Sequence, residues 1–293
     1  MNLYTEQDSN VRKTWFLMTM FLVVVVGIGW FVSYFYDSPI ILVFAIVFSV
    51  GMNIFSYYNS DKIVLKMYKA NQITRESHRE LWNSVENLSI TAGLPMPRVF
   101  VIPDPAPNAF ATGRDKDHAA VAVTSGLLDM MDRNELDGVI AHELSHIGNR
   151  DILLMTVVVV LVGFVSIMAD ILLRSGMSGG GDNNKSGGVL AIVGVVLVVL
   201  SPIFAKIIQL SVSRKREFLA DSSGALLTRY PEGLASALEK LGSYSGKMQK
   251  ANQSTAHMFI SNPFGAKAKK GFSKLFLTHP PIEDRIAKLR GME

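Results

Sequence analysis

His142 and His146 stand four residues apart in the run His142-Glu143-Leu144-Ser145-His146. On an α-helix, positions i and i+4 lie one above the other on the same face, so this spacing offers two imidazole nitrogens to one tetrahedral metal ion. Glu143 is offset by one residue, about 100° round the helix, and points beside the metal, where a general base for an activated water has to stand. Leu136, Val139, Ile140, Leu144 and Ile147 form an apolar stripe on another face of the same helix. One face is therefore built to bury and the next to do chemistry. Asp132 and Glu135 have the spacing of a capping box and open the helix.

The elements that must position this stretch are largely membrane-spanning. The 293 residues are 49% hydrophobic and only 18% charged, with a mean hydropathy of +0.27, which points to a membrane protein. There is no cysteine, which excludes disulfides, thiol catalysis and cysteine-ligated zinc; any metal here must use His, Asp or Glu. The formal charge of +4 does not indicate a nucleic-acid partner, because the basic residues are scattered and flank apolar segments.

Thr14–Tyr36 and Pro39–Tyr58 are two uncharged spans joined by a tight turn at Asp37-Ser38-Pro39, a hairpin occupying 1–58. The first span ends in Ser33-Tyr34-Phe35-Tyr36, an aromatic interface belt rather than a signal-peptide cleavage site. Arg12 and Lys13 before the hairpin, and Lys62, Lys66, Lys69 and Arg75 after it, place both flanks in the cytoplasm. From residue 59 to 151 the pattern is that of a soluble domain. It has an amphipathic helix capped by Thr74 and stopped by Gly93, strands at 98–102, 108–112 and 119–124, and then the histidine helix. Residues 152–212 form a second hairpin, with spans 152–173 and 189–212 around a Gly-rich external loop, 175–188. Residues 213–293 return to the cytoplasm, with a helix from Glu232 to Leu241 and a polar loop from Ser243 to Thr255.

A catalytic zinc site with two histidines needs a third protein ligand and an open position for water. Glu217 is the candidate, because it follows the fourth span as closely as His146 precedes the third. If both spans continue the adjacent helices, His146 stands about 9 Å, His142 about 15 Å and Glu217 about 7 Å above one membrane surface. Asp221, at i+4 from Glu217, is placed to accept the second N–H of a zinc-bound histidine. Asn108, Ala109, Phe110 and Ala111 read as an edge strand that presents its backbone to an extended substrate, or as an ordinary edge strand. His279, before two prolines, is equally placed to donate to a developing oxyanion or to cap a turn. His78 and His118 read as solvated, and His257 is undecided.

His142-Glu-Leu-Ser-His146 before a span, Glu217-Phe-Leu-Ala-Asp221 after the next, Asn108-Ala-Phe-Ala111 upstream and Thr278-His-Pro-Pro281 downstream together resemble the HtpX family of membrane zinc metallopeptidases. They resemble the CAAX prenyl proteases more distantly. The resemblance covers essentially the whole chain. It implies a mainly α protein with a small β-sheet, four transmembrane helices and a cytosolic zincin-like (gluzincin) domain. The implied protein is a multi-pass plasma-membrane endopeptidase acting in stress response and protein quality control, with both termini cytoplasmic. One zinc would be held by His142, His146 and Glu217, Glu143 would be the catalyst, and the partners would be unfolded or membrane polypeptides and the lipid bilayer.

Three other readings compete. An intramembrane-cleaving protease would carry the zinc motif inside an apolar span, but here Asp132, Arg133, Glu135 and Asp137 precede it and Arg150 and Asp151 follow. A zinc-binding scaffold or sensor would close four ligand positions with protein, often with cysteines. A transporter would need charge within the membrane, whereas Asp170 and Lys206 lie near span ends.

Overall fold

The structure, a computed structural model, describes residues 3–178, 193–196, 214–252, 255–265 and 280–292. Three described helices are long and apolar enough to cross a membrane: Asp8–Phe35, Pro39–Met67 and Asp151–Ile171. The fourth expected span, 189–212, lies almost wholly outside the described residues. Helix α1 runs Leu3–Phe35 and α2 Pro39–Met67, each longer than its charge-free stretch. An uncharged window measures the part of a helix that lipid can cover, not where its backbone ladder ends. The polar extension of α2 enters the soluble part, where Val64, Leu65 and Tyr68 are buried against a sheet and Asp61 pairs with Arg98 at 2.6 Å.

That sheet has four strands, β1 Asn71–Gln72, β2 Arg98–Ile102, β3 Ala109–Gly113 and β4 Ala119–Thr124, in the order β1-β2-β4-β3. The three longer strands fall within one residue of expectation, and the two-residue β1 carries no sequence signal. β2 and β4 are parallel, whereas β3 is antiparallel to β4 and forms an edge. Side chains alternate across the sheet. Val99, Ala109, Ala111, Val121 and Val123 face one core; Phe100, Ile102, Phe110, Ala120 and Ala122 face α2 and the start of α6, Asp151–Ser178. α6 continues through Ser178, so the first residues of the expected 175–188 loop are helical and the rest lie outside the described residues.

Helix α3, Arg79–Ala92, starts later than its sequence pattern suggests, with His78 rather than Thr74 at its N-cap. Thr74 is engaged in a separate turn, donating its N–H to Ser77 Oγ, and that hydroxyl donates back to Thr74 O. After the short α4, Ser125–Met130, comes α5, Arg133–Gly148, opened by the full capping box. Asp132 Oδ1 accepts from Glu135 N–H at 3.0 Å, and Glu135 Oε2 accepts from Asp132 N–H at 2.8 Å. The whole stripe Leu136, Val139, Ile140, Leu144 and Ile147 is buried in the core that the sheet shares with α3, α7 (Arg214–Thr228), α8 (Pro231–Ser243) and α9 (Ile282–Arg290). Residues 244–252 are without helix or strand, as expected of the polar loop. They are nevertheless anchored, with Met248 buried and Gln249 N–H donating to Asp104 Oδ2 at 2.8 Å.

Candidate active site

The two histidines of α5 present their Nε2 atoms 3.2 Å apart. α7 crosses α5 with Glu217, Asp221 and Gly224 on the contact face, positions i, i+4 and i+7. Gly224 favours the close approach: a Cβ there would lie 3.0 Å from the His142 backbone nitrogen, tighter than ordinary van der Waals contact, so a larger residue would press the helices a few tenths of an ångström apart. Glu217 is thereby delivered to the histidines, with Oε2 3.8 Å from His142 Nε2 and Oε1 3.8 Å from His146 Nε2. The three ligand atoms all lie within 4.8 Å of one another, and all three residues are buried.

A carboxylate stands behind each imidazole. Asp221 Oδ1 is 3.0 Å from His142 Nδ1, and Asp151 Oδ2 is 3.0 Å from His146 Nδ1. Each carboxylate favours the tautomer with the proton on Nδ1, which leaves the Nε2 of a neutral imidazole to present its lone pair. Two imidazole nitrogens and a carboxylate converging in a buried pocket call for a cation. A tetrahedral ion with bonds of about 2.0–2.1 Å would hold its donors about 3.3 Å apart, close to the observed nitrogen separation. The donor set therefore fits a resident metal.

The electrostatics agree. Burial works to lower the pKa of His146, but Asp151 and Glu217 outweigh it and raise it to about 9, the mark of a pocket that attracts positive charge. Burial carries His142 down to about 4, with Asp221 opposing. Asp221 would itself be raised by burial, yet the Arg285 guanidinium holds it near 2. Arg285, completely buried on α9, grips Asp221 with two bonds, Nε to Oδ2 at 2.8 Å and Nη2 to Oδ1 at 2.7 Å, and donates a third to Ile260 O at 3.3 Å.

Glu143 stands outside the ligand triad. Burial pushes its pKa up to about 7, against the pull of a charged His146, and its carboxylate accepts from the Ala111 N–H of β3. Of the four expected substrate-strand residues, only Ala111 is turned to the site. Ala109 O accepts from Ile260 N–H at 3.1 Å and Asn108 Oδ1 from Ser261 N–H at 3.1 Å, so a strap at 260–261 lies along the first half of the edge. Phe110 points to the other face of the sheet, its ring 5.2 Å from that of Phe259. His279 lies outside the described residues. His118 is exposed beside Asp115, His78 is half-buried next to Ser77, and His257 is buried with Nε2 3.4 Å from Met155 O.

Sequence reasoning missed Asp151 and Arg285. α5 and α6 are not one continuous helix: α5 ends at Gly148, Arg150 takes a left-handed φ of 57°, and α6 begins at Asp151. That break invalidates the heights computed for an unbroken helix, and it is what folds Asp151 back onto His146. Arg285 is 64 residues from Asp221, with no periodicity to connect them.

Residues 75–293, the segment holding this whole arrangement, match the model of peptidase family M48. The chain belongs to that family. It is 46% identical to a Protease HtpX homolog of Caldanaerobacter subterraneus subsp. tengcongensis, over 99% of this chain and 98% of that one. It is 50% identical to a Protease HtpX homolog of Desulfatibacillum aliphaticivorans, over 85% of this chain and 80% of the other. The crystal structure of S. mikatae Ste24p shares the fold, with a TM-score of 0.52 at 21% identity over 94% of this chain and 66% of that one. With three apolar helices of membrane-crossing length among its described residues, this M48 peptidase is a membrane metalloprotease.

Proposed function

We propose that the protein is a zinc-dependent endopeptidase that cleaves misfolded or damaged proteins, including membrane proteins, on the cytosolic side of the cell membrane. The observation that carries this reading is the convergence of two imidazole lone pairs and Glu217 beside a buried carboxylate that touches an edge strand. His142, His146 and Glu217 hold the metal, while Asp221 and Asp151 fix the imidazole tautomers. Bound there, zinc would supply Lewis acidity, polarising the scissile carbonyl and acidifying water. Glu143 takes the proton of the attacking water and returns it to the leaving amine, work suited to a carboxyl whose pKa lies near neutrality. The end of the β3 edge beyond the 260–261 strap, from Ala111 to Gly113, is buried as it stands and would receive an extended segment of substrate by strand addition in place of its present contacts. A chain that must lie extended to be cut favours unfolded substrates.

Purified in the presence of a chelator and then reconstituted, the protein should take up one zinc per chain and cleave an unfolded protein such as casein. Stripping the zinc should stop cleavage and returning it should restore it. Cleavage that persists after the metal is gone would overturn the reading, and stoichiometric zinc without any cleavage would favour a scaffold.

The basic residues flanking the first hairpin support a cytoplasmic peptidase domain, with the 37–38 turn outside. Because the chain lacks cysteine, Asp37→Cys and Glu76→Cys, both at exposed positions, can be labelled one at a time in intact cells with an impermeant thiol reagent. Asp37→Cys should label and Glu76→Cys should not; the reverse pattern would invert the topology.

A further inference from the structure

The support of His146 does not end at Asp151. Asn10, on the polar extension of the first membrane helix, is completely buried. Its amide nitrogen donates to Asp151 Oδ1 at 2.6 Å and to Asn149 O at 3.2 Å. Its amide oxygen accepts from Arg216 Nη1 at 2.9 Å, and the same nitrogen of Arg216 reaches Asp151 Oδ1 at 3.0 Å. Asp151 thus has one oxygen on the imidazole of His146 and the other held by Asn10 and Arg216. Arg216 is the neighbour in sequence of Glu217. One primary amide therefore ties α1 to the α5–α6 junction behind one ligand and to the start of α7 beside another. Asn10 lies outside the segment 75–293 that matches the peptidase family, so nothing in that match calls for it.

We infer that Asn10 is a positioning residue of the metal centre: it holds Asp151, and through it His146, so the first membrane helix is part of the catalytic scaffold as well as an anchor. Without Asn10, Asp151 Oδ1 would keep only Arg216, itself deprived of the amide oxygen it donates to, and the carboxylate would be freer to swing or draw in water. The Nδ1 hydrogen bond that fixes the imidazole would weaken, and loss of such support typically costs 10–100-fold in metal affinity. The inference rests on His142, His146 and Glu217 being the ligands, and its test separates the two claims.

Zinc affinity is measured by competition with a chromophoric chelator on the full-length protein in detergent, in a Glu143→Gln background that prevents self-cleavage. Asn10→Ala should bind zinc roughly tenfold more weakly. Asn10→Asp, which keeps the shape but replaces the donating amide with a second anion facing Asp151, should also bind more weakly. In an Asp151→Ala background, Asn10→Ala should cause no further loss, because its route to the imidazole is already cut. Undiminished affinity in both Asn10 variants, or the same tenfold loss with and without Asp151, would reduce Asn10 to a packing contact. Glu217→Ala is the control: if it keeps its zinc in this assay, the ligand assignment fails and not merely the role of Asn10.

Discussion

Glu143→Gln should bind zinc as the unaltered protein does and lose cleavage of unfolded protein by about 10³-fold or more, at the upper part of the range for a positioned general base. The carboxyl is not one of the three converging donors, so the metal does not depend on it. Glutamine preserves the volume of a fully buried side chain and keeps an oxygen to accept from the Ala111 N–H. What it removes is the capacity to take a proton. The two readouts are zinc content of the purified protein and the rate of release of labelled casein fragments. Cleavage at the unaltered rate would remove Glu143 from the mechanism; loss of zinc with activity would recast it as a ligand or a fold element. The variant should also survive purification intact once zinc is restored, whereas the active enzyme would cut its own accessible loops.

Glu217→Ala should fail in the opposite manner, with metal and activity falling together. It leaves two imidazoles, too few for a tight site, and removes the carboxylate whose charge helps raise His146 to about 9. Zinc content after dialysis should drop to a small fraction of one per chain, and added chelator should change little further. Full zinc retention would transfer the third position to another residue. The contrast between the two glutamates is the informative part, because a loosely folded variant would lose zinc in both.

Much of the site was legible because it is governed by helical periodicity. His142, Glu143 and His146 needed only the 3.6-residue repeat, the capping box of Asp132 and Glu135 is local, and Asp221 follows from Glu217 by the i+4 spacing on one face of α7. The illegible parts depend on where helices stop and on which distant segments meet. Thr74 carries the chemistry of an N-cap but closes a turn with Ser77, and helix α3 waits until Arg79. Asp151 comes five residues after His146, off its face on a continuous helix, and reaches it only through the left-handed turn at Arg150. Asn10 and Arg285 come from opposite ends of the chain, and no spacing rule foretells that a lone asparagine or arginine will be sealed inside.

The order of these parts along the chain has a bearing on when the enzyme becomes dangerous. His142 and His146 precede the apolar helix α6, whereas Glu217, Asp221 and the guanidinium of Arg285 all come after it. A nascent chain that has just emerged as far as α5 holds two imidazoles and a base but cannot retain an ion. The remaining donors arrive only when the apolar segment between them has been disposed of, which in water it cannot be without exposing α6. Delivery of α6 to the bilayer would then be what lets the donors on either side of it meet and the enzyme become competent.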